Sequence, residues 1–484
     1  MLFHSPEFIL FFIPLVWAVY VLTLGRSARI STWWLIGASL FFYAMLDGEK
    51  VVLLIGILLG NYFFSRVLAG APPSLRKGLL VCGITANLGY LLYFKYAGLL
   101  TAHLSLGAIV TPIGISFITL QQIIYLVQIA RGQIPVPAFG DFLLFGTFFP
   151  YIVAGPIVQA SEIFPQLTAR DRRTVFELAV PGIILFSFGL FKKVVIADNL
   201  IDIVKDVFDT NRFGFPLGAL DAWAGVLAYV LRLYFDFSGY SDMALGIGAL
   251  FGIRLPINFY SPYKATNIAD FWRRWHMSMT RFFAVYVYLP LAVSLTRRSM
   301  KSGHGTIGRF MAARGIPLVV TFFLSGIWHG AKQNFAVFPL LMGIALIVTN
   351  AWQSLRLPPP PSALGWALTM LVVTAGVVID RTGTLGDAGH MFLAMVNGRA
   401  GELVSADGMV RILACGLIAV AMPNTHEIMA AWPLSIDTGG HDTSRFNERM
   451  RWLRGEAGAL VAGVAAVISF LLMTKASDFI YYRF

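Results

Sequence analysis

The chain has 484 residues, 57% of them hydrophobic and only 13% charged, with a mean hydropathy of +0.72. A soluble globular protein carries about 25% charged residues, so this composition excludes a soluble enzyme and points to a chain that crosses a membrane many times. The net charge of +12 is what Lys- and Arg-rich cytoplasmic loops produce under the positive-inside rule, and it calls for no nucleic-acid partner.

Each crossing needs about 20 apolar residues. Roughly eleven to thirteen such segments recur from end to end, several interrupted by Gly or Pro. The first, MLFHSPEFILFFIPLVWAVYVL, has neither a basic n-region nor a small-residue cleavage site, and reads as a retained first span. Arg26 and Arg29 follow it, Asp47 and Glu49 follow the second span, and Arg66, Arg76 and Lys77 the third. That alternation puts the N-terminus outside. Arg170, Arg172 and Arg173 mark a further cytoplasmic loop, as does the cluster Arg297, Arg298, Lys301, Arg309 and Arg314. Cys82 and Cys415 both lie in apolar runs and offer neither a disulfide framework nor a metal-site spacing.

ATNIADFWRRWHMSMTRFF reads as one amphipathic helix. Asn267 serves as N-cap, with Asp270 placed as in a capping box. Ile268, Phe271, Trp272, Trp275, Met279, Phe282 and Phe283 share one face at helical spacing. Arg273, Arg274, Met277, Ser278 and Arg281 lie opposite, and His276 falls at the border. A helix this aromatic and basic suits the headgroup level of a membrane, either as a plain interfacial anchor or as part of a site.

Between Asp270 and Asp380 there is no carboxylate, while ten Lys and Arg residues and three of the eight histidines, His276, His304 and His329, fall in that stretch. Two readings stand side by side. One is a set of positive-inside loops. The other is a cytoplasm-facing funnel for a polyanion, because arginines clamp phosphate by charge-assisted, often bidentate hydrogen bonds.

Gly315 to Gly330, GIPLVVTFFLSGIWHG, spans about 24 Å as a helix, short of a hydrocarbon core of about 30 Å. His329 closes this run, with Ser325 one turn earlier on the same face. An ionisable group at membrane depth marks a functional site by default; the alternative is a histidine at the membrane surface bonding a carbonyl. Burial favours the neutral imidazole that a general base requires. G-x-S-x-G, P-loop and H-E-x-x-H patterns are all missing, and two well-placed histidines without carboxylates do not make a metal site. LPPPPSA (Leu357–Ala363) cannot continue a helix and reads as a linker. In the polar stretch 437–456, Phe446, Met450 and Leu453 are spaced for a short interfacial helix.

At YFDFSGYSDMALGIGALFGIRLPINFYSPY (Tyr234–Tyr263), NIADFWRRWHMSMT (Asn267–Thr280) and FLSGIWHGA (Phe323–Ala331), the chain resembles the membrane-bound O-acyltransferase family. The likeness is to the bacterial branch that serves alginate O-acetylation. Supporting matches run from LFHSPEFILFFIPL and ASLFFYA through PIGISFITLQQIIYLVQIARGQI and FFPYIVAGPIVQ to the closing FIYYRF. The resemblance implies an all-α polytopic membrane fold, a ring of transmembrane or re-entrant helices around a central site with a cytoplasmic funnel. It implies one domain over 1–484: N-terminal helices in 1–110, a catalytic core in 111–356 and C-terminal helices in 357–484.

On the same basis His329 takes the position of the family's catalytic histidine and His276 that of the second one. Arg273, Arg274, Trp272, Trp275, Trp328 and Ser325 become candidates for holding the cosubstrate. The implied activity is transfer of acetyl from cytoplasmic acetyl-CoA across a bacterial inner membrane to an exopolysaccharide or cell-wall glycan. An extracytoplasmic acetyltransferase and the polysaccharide machinery are the implied partners, with membrane lipid around the helices and no metal. The rival reading from composition alone is a glycan or lipid transporter without chemistry, and a third is a scaffold that recruits the transferase.

The chain departs from the family pattern at three places. Lys332-Gln333-Asn334 follows the WHG motif, where an aromatic apolar helix is usual, and suggests a more polar entrance. GVVIDRT (Gly376–Thr382) stands where relatives have GWVFFRA. YVYLPL (Tyr286–Leu291) lacks a GGNR continuation.

Overall fold

The computed structural model describes residues 1–104, 111–330, 333–430, 432, 434–436 and 456–473. Phe446, Met450 and Leu453 of the expected short helix, the closing FIYYRF and Lys332 lie outside them. Helices dominate. Among the described residues the one sheet is the parallel pairing of Leu255–Pro256 with Ser435–Ile436.

Among the described residues, seven helical stretches are long and apolar enough to cross a membrane, and four further apolar helices are shorter. Ala28–Gly70, at 43 residues, is long enough to cross twice and breaks at Asp47, where a three-residue turn, Gly48–Lys50, begins. The first apolar run is one of the short ones, Phe8–Leu24. Hydropathy alone cannot separate a lipid-facing helix from one enclosed by protein, and Ile115–Ala130 illustrates why. Its residues are apolar enough to span, yet all from Ile115 to Ile129 are buried inside the protein. Gly114, at φ +74°, starts that helix where a Cβ would meet the Ile152 carbonyl oxygen at 2.7 Å.

The chain divides into two compact units. The first takes Met1–Phe191, Gly239–Ile257 and the described residues from Ile428 on. Phe3, Phe8, Phe42 and Phe149 form its aromatic centre, with ring centroids 5.1 to 6.2 Å apart and each residue at most 1% exposed. Lipid offers these rings an equally apolar setting, so the cluster gains by ring-on-ring packing, about 0.5–1.5 kcal/mol per pair.

The helix Arg172–Phe191 crosses the C-terminal half of the helix Ala219–Leu250 on glycines. A Cβ on Gly182 would meet the Gly246 carbonyl oxygen at 2.8 Å, and one on Gly189 would meet that of Gly239 at 2.6 Å. Small residues let backbones approach where lipid supplies no hydrophobic drive. This is the physical content of Gly239 and Gly246 in FSGYSDMALGIG.

The second unit takes Lys192–Ser238 and Asn258–Glu427. Its helices Ile316–His329 and Asn334–Ser354 pack against each other, and Asn334–Ser354 packs against Ser362–Arg381. Exposed Pro358 to Pro361 link the last two. Lys193, 1% exposed, lies at ion-pair distance from both Asp198 and Asp236, 2.8 Å to each, with those carboxylates 4% and 0% exposed. An isolated charge buried this deeply is costly, so the three persist as a set.

Candidate active site

The expected single helix over 267–283 is in fact two. Asn267 does cap the first, its side chain accepting the Asp270 N–H at 2.8 Å, and that helix ends at Arg274. Trp275 is extended, and His276 adopts the left-handed conformation, φ 43° and ψ 53°, before a second helix starts at Met277. For a residue with a Cβ this conformation costs about 1–2 kcal/mol, and such strain persists only where the surroundings over-determine it.

Here the surroundings are the segment Asn258–Tyr260. The Tyr260 N–H donates to the Arg274 carbonyl at 3.0 Å, and the Met277 N–H donates to the Asn258 carbonyl at 2.9 Å. The Asn258 Oδ1 accepts both the Ser278 hydroxyl at 2.6 Å and the Ser278 N–H at 3.3 Å. Periodicity could not reveal the break, because the clamp comes from residues earlier in the chain.

The clamp drives the His276 ring into the interior, where it is 0% exposed. Phe237 meets it edge-on at 4.8 Å and Phe259 lies parallel to it at 6.4 Å. Burial, and secondarily the nearby His329, push the imidazole down to about 3, so it is neutral at physiological pH. The neighbour of Phe237 in the chain is Asp236, which pairs with Lys193. Asn258, Phe237 and Phe259 were not picked out individually from the sequence, although all three lie inside the recognisable Tyr234–Tyr263 stretch.

His329 is the last residue of its helix, which is continuous with the preceding turns from Thr306. The stretch Thr306–His329 has 24 residues, about 36 Å of helix, so the run reaches across a bilayer core that Gly315–Gly330 alone would not. The ring is half-buried beside Trp328, centroids 4.8 Å apart, with Phe335 at 6.1 Å.

Gly326 explains the glycine of FLSGIWHGA: a Cβ there would strike the Phe335 carbonyl oxygen, so only glycine lets the two helices of the pair close. Ser325 and Thr321 precede His329 by one and two turns on the same face. Thr321 is 6% exposed, and its hydroxyl has no hydrogen-bond partner among the described residues. The spacing Thr321, Ser325, His329 was legible in the sequence, yet only Ser325 stood out there.

The remaining candidates separate by environment. Trp275 is enclosed, stacked on Phe271 at 5.6 Å and on Tyr263 at 6.2 Å, and braces the break. Trp272 packs on Phe322 at 5.3 Å, and its buried indole N–H has no partner among the described residues. Arg274 is committed, its Nε to Asp270 at 3.0 Å and its Nη1 to the Tyr260 carbonyl at 3.3 Å. Arg273 reaches Asp270 only at 3.4 Å, with 71% of its side chain exposed. Trp328, 6% exposed, walls His329.

The departures from the family pattern also find places. Asn334 is 1% exposed and donates to the Ile379 and Thr382 carbonyls at 2.8 Å each, so it ties two helices together and does not make the entrance polar. Asp380 holds the usually aromatic position, and its neighbour Arg381, which matches the arginine of GWVFFRA, lies over the Phe208 and Tyr229 rings at 5.2 and 5.4 Å in a cation–π contact. Among the described residues no group of three or more His, Cys, Asp or Glu could hold a metal.

The described fold is a polytopic helical membrane protein, with one histidine at a helix break, buried and neutral, and another at a helix end. The chain belongs to the membrane-bound O-acyltransferase family, whose profile matches residues 123–375, and it is an acyltransferase. It is 36% identical over 436 residues to a peptidoglycan O-acetyltransferase of Helicobacter pylori, covering 82% of this chain and 80% of that one. To a probable alginate O-acetylase, AlgI, of Pseudomonas aeruginosa it is 33% identical over 410 residues, covering 82% and 75%. A teichoic acid D-alanyltransferase of Bacillus subtilis matches more distantly, 28% over 253 residues, covering 51% and 60%.

Proposed function

We propose that the protein is an acetyl-CoA-dependent O-acetyltransferase of a bacterial inner membrane. It takes acetyl from the cytoplasmic side and delivers it across the membrane toward an exopolysaccharide or cell-wall glycan. The observation that carries this reading is the strained, buried, neutral His276 held within electrostatic reach of His329. The names of the relatives, which act on peptidoglycan or alginate, support the choice of acetyl group and glycan.

His329 is the catalytic histidine. Its imidazole takes the proton of the acceptor hydroxyl as the oxygen attacks the thioester carbonyl; the C–S bond then breaks, and the imidazolium returns a proton to the departing thiolate. His276 is too weakly basic to hold a proton at neutral pH, so it orients the substrate as a neutral hydrogen-bonding ring. Trp272 and Ser325, with Trp328 and Trp275 around them, bound the cosubstrate. Arg273, exposed, is the arginine offered to its phosphates, and Arg274 supports it through their shared carboxylate Asp270. Residues 1–110, 111–356 and 357–484 serve as entry helices, catalytic core and closing helices of one domain. An extracytoplasmic acetyltransferase and the polysaccharide machinery receive the group.

The test uses purified full-length protein in nanodiscs with radiolabelled acetyl-CoA. His329→Ala is expected to abolish CoA release and acetyl transfer while the protein stays folded and membrane-inserted. Full turnover by that variant at normal expression overturns the assignment. Glycan binding without any CoA release by the wild type points instead to a transporter.

A further inference from the structure

A cavity of about 390 Å³ is built wholly from residues of the first unit: the end of the Ala160–Thr168 helix, the start of the Arg172–Phe191 helix, the turn at Gly252–Arg254 and the strand Ser435–Ile436. Gly252, at φ +74°, sits against Val175, where a Cβ would meet a side-chain methyl at 3.1 Å, and this tight turn presents Arg254 to the cavity.

Both arginines of the cavity wall are held by their surroundings. The Arg254 N–H donates to the Gln166 Oε1 at 2.8 Å, and its carbonyl accepts from the Gln166 Nε2 at 3.1 Å. With its backbone fixed in this way, the half-buried Arg254 guanidinium makes no hydrogen bond or ion pair with any described residue. Arg170 is anchored through Nε to the Leu167 carbonyl at 2.9 Å and through Nη2 to the Thr32 hydroxyl at 2.6 Å, which fixes its charge at the wall. The one carboxylate present, Asp171, is engaged by the Thr174 N–H at 2.8 Å and the Thr174 hydroxyl at 3.0 Å. Two arginines against one capping carboxylate leave the cavity net positive.

We infer that this cavity binds the phosphate headgroup of a phospholipid. A guanidinium pair recognises phosphate by charge-assisted hydrogen bonds, and basic pockets at the cytoplasmic ends of spans take anionic headgroups. The Arg170–Arg173 loop is the one that the charge pattern places on the cytoplasmic side. That puts the arginines at headgroup level, where the phosphate on offer is that of a lipid. The cavity shares no residue with the histidine site, and the proposal stands whether or not the assignment of the histidines holds.

Native mass spectrometry of the full-length protein in mild detergent tests it, with phosphatidylglycerol as probe. The wild type is expected to retain one lipid. Arg254→Gln is expected to lower that occupancy about tenfold, the scale of one charge-assisted hydrogen bond, and Arg254→Lys to keep most of it. Ala169→Trp, which fills the exposed rim and leaves every charge in place, lowers it likewise and decides the matter if Arg254→Gln fails to fold. Two further arms use diacylglycerol, which has the chains without the phosphate, and inorganic phosphate. Equal retention of diacylglycerol, unchanged lipid occupancy in Ala169→Trp, or binding of inorganic phosphate with no lipid retained each overturns the proposal.

Discussion

Asn258→Ala tests whether the left-handed turn at His276 is what makes the site. The Asn258 Oδ1 accepts two hydrogen bonds from Ser278, at 2.6 and 3.3 Å, and both residues are at most 3% exposed. Removing the acceptor takes a partner from a buried hydroxyl and from a buried N–H, each loss costing about 1–3 kcal/mol. The longer bond contributes at the low end, so the loss of stability is about 2–4 kcal/mol. The turn then gains by relaxing, since the left-handed conformation stores about 1–2 kcal/mol. A shift of the imidazole by an ångström is enough to lower turnover about a hundredfold.

The assay pairs unfolding in detergent with CoA release in nanodiscs. Asn258→Asp, which keeps an acceptor oxygen, is expected to recover much of the activity. Ser278→Ala combined with Asn258→Ala should be non-additive by about 1 kcal/mol, as for any pair in direct contact. Stability reduced as expected but turnover within about twofold of wild type would refute the reasoning, because the placement of His276 would then not depend on the clamp.

Gly326→Ala puts a Cβ onto the Phe335 carbonyl oxygen; the paired helices must part, and turnover is expected to collapse with membrane insertion retained, checked by crosslinking and CoA release. Lys193→Met leaves Asp198 and Asp236 buried together without their cation, at a cost of about 3–5 kcal/mol. Adding Asp198→Asn and Asp236→Asn should restore most of that in thermal unfolding. The neutral His276 makes the fold acid-sensitive. Its value lies at about 3, below the ordinary 6.5, so its stabilising share is whole above pH 6.5 and is lost as pH falls toward 3. At pH 5 the loss is about 2 kcal/mol. Unfolding of the wild type and His276→Gln at pH 7 and pH 5 measures it, and the variant should lack this part of the slope.

Composition and spacing determined a good deal by themselves. Low charge and recurrent apolar runs are enough for a polytopic membrane protein, because crossing a bilayer is a property of local composition. Both histidines stood out in the sequence, as did the cap at Asn267 and the proline linker, since each depends on residues a few positions apart. The tertiary structure decided the rest. Whether Ile115–Ala130 faces lipid or protein depends on what surrounds it, and hydropathy is blind to that. The break at Trp275–His276 depends on hydrogen bonds from Asn258 and Tyr260, which no helical period encodes. The polar Asn334 proved to be a tie between helices because its partners, Ile379 and Thr382, lie more than forty residues away. Local sequence sets what each segment prefers; long-range contacts set which preferences are overruled, and His276 sits where one was.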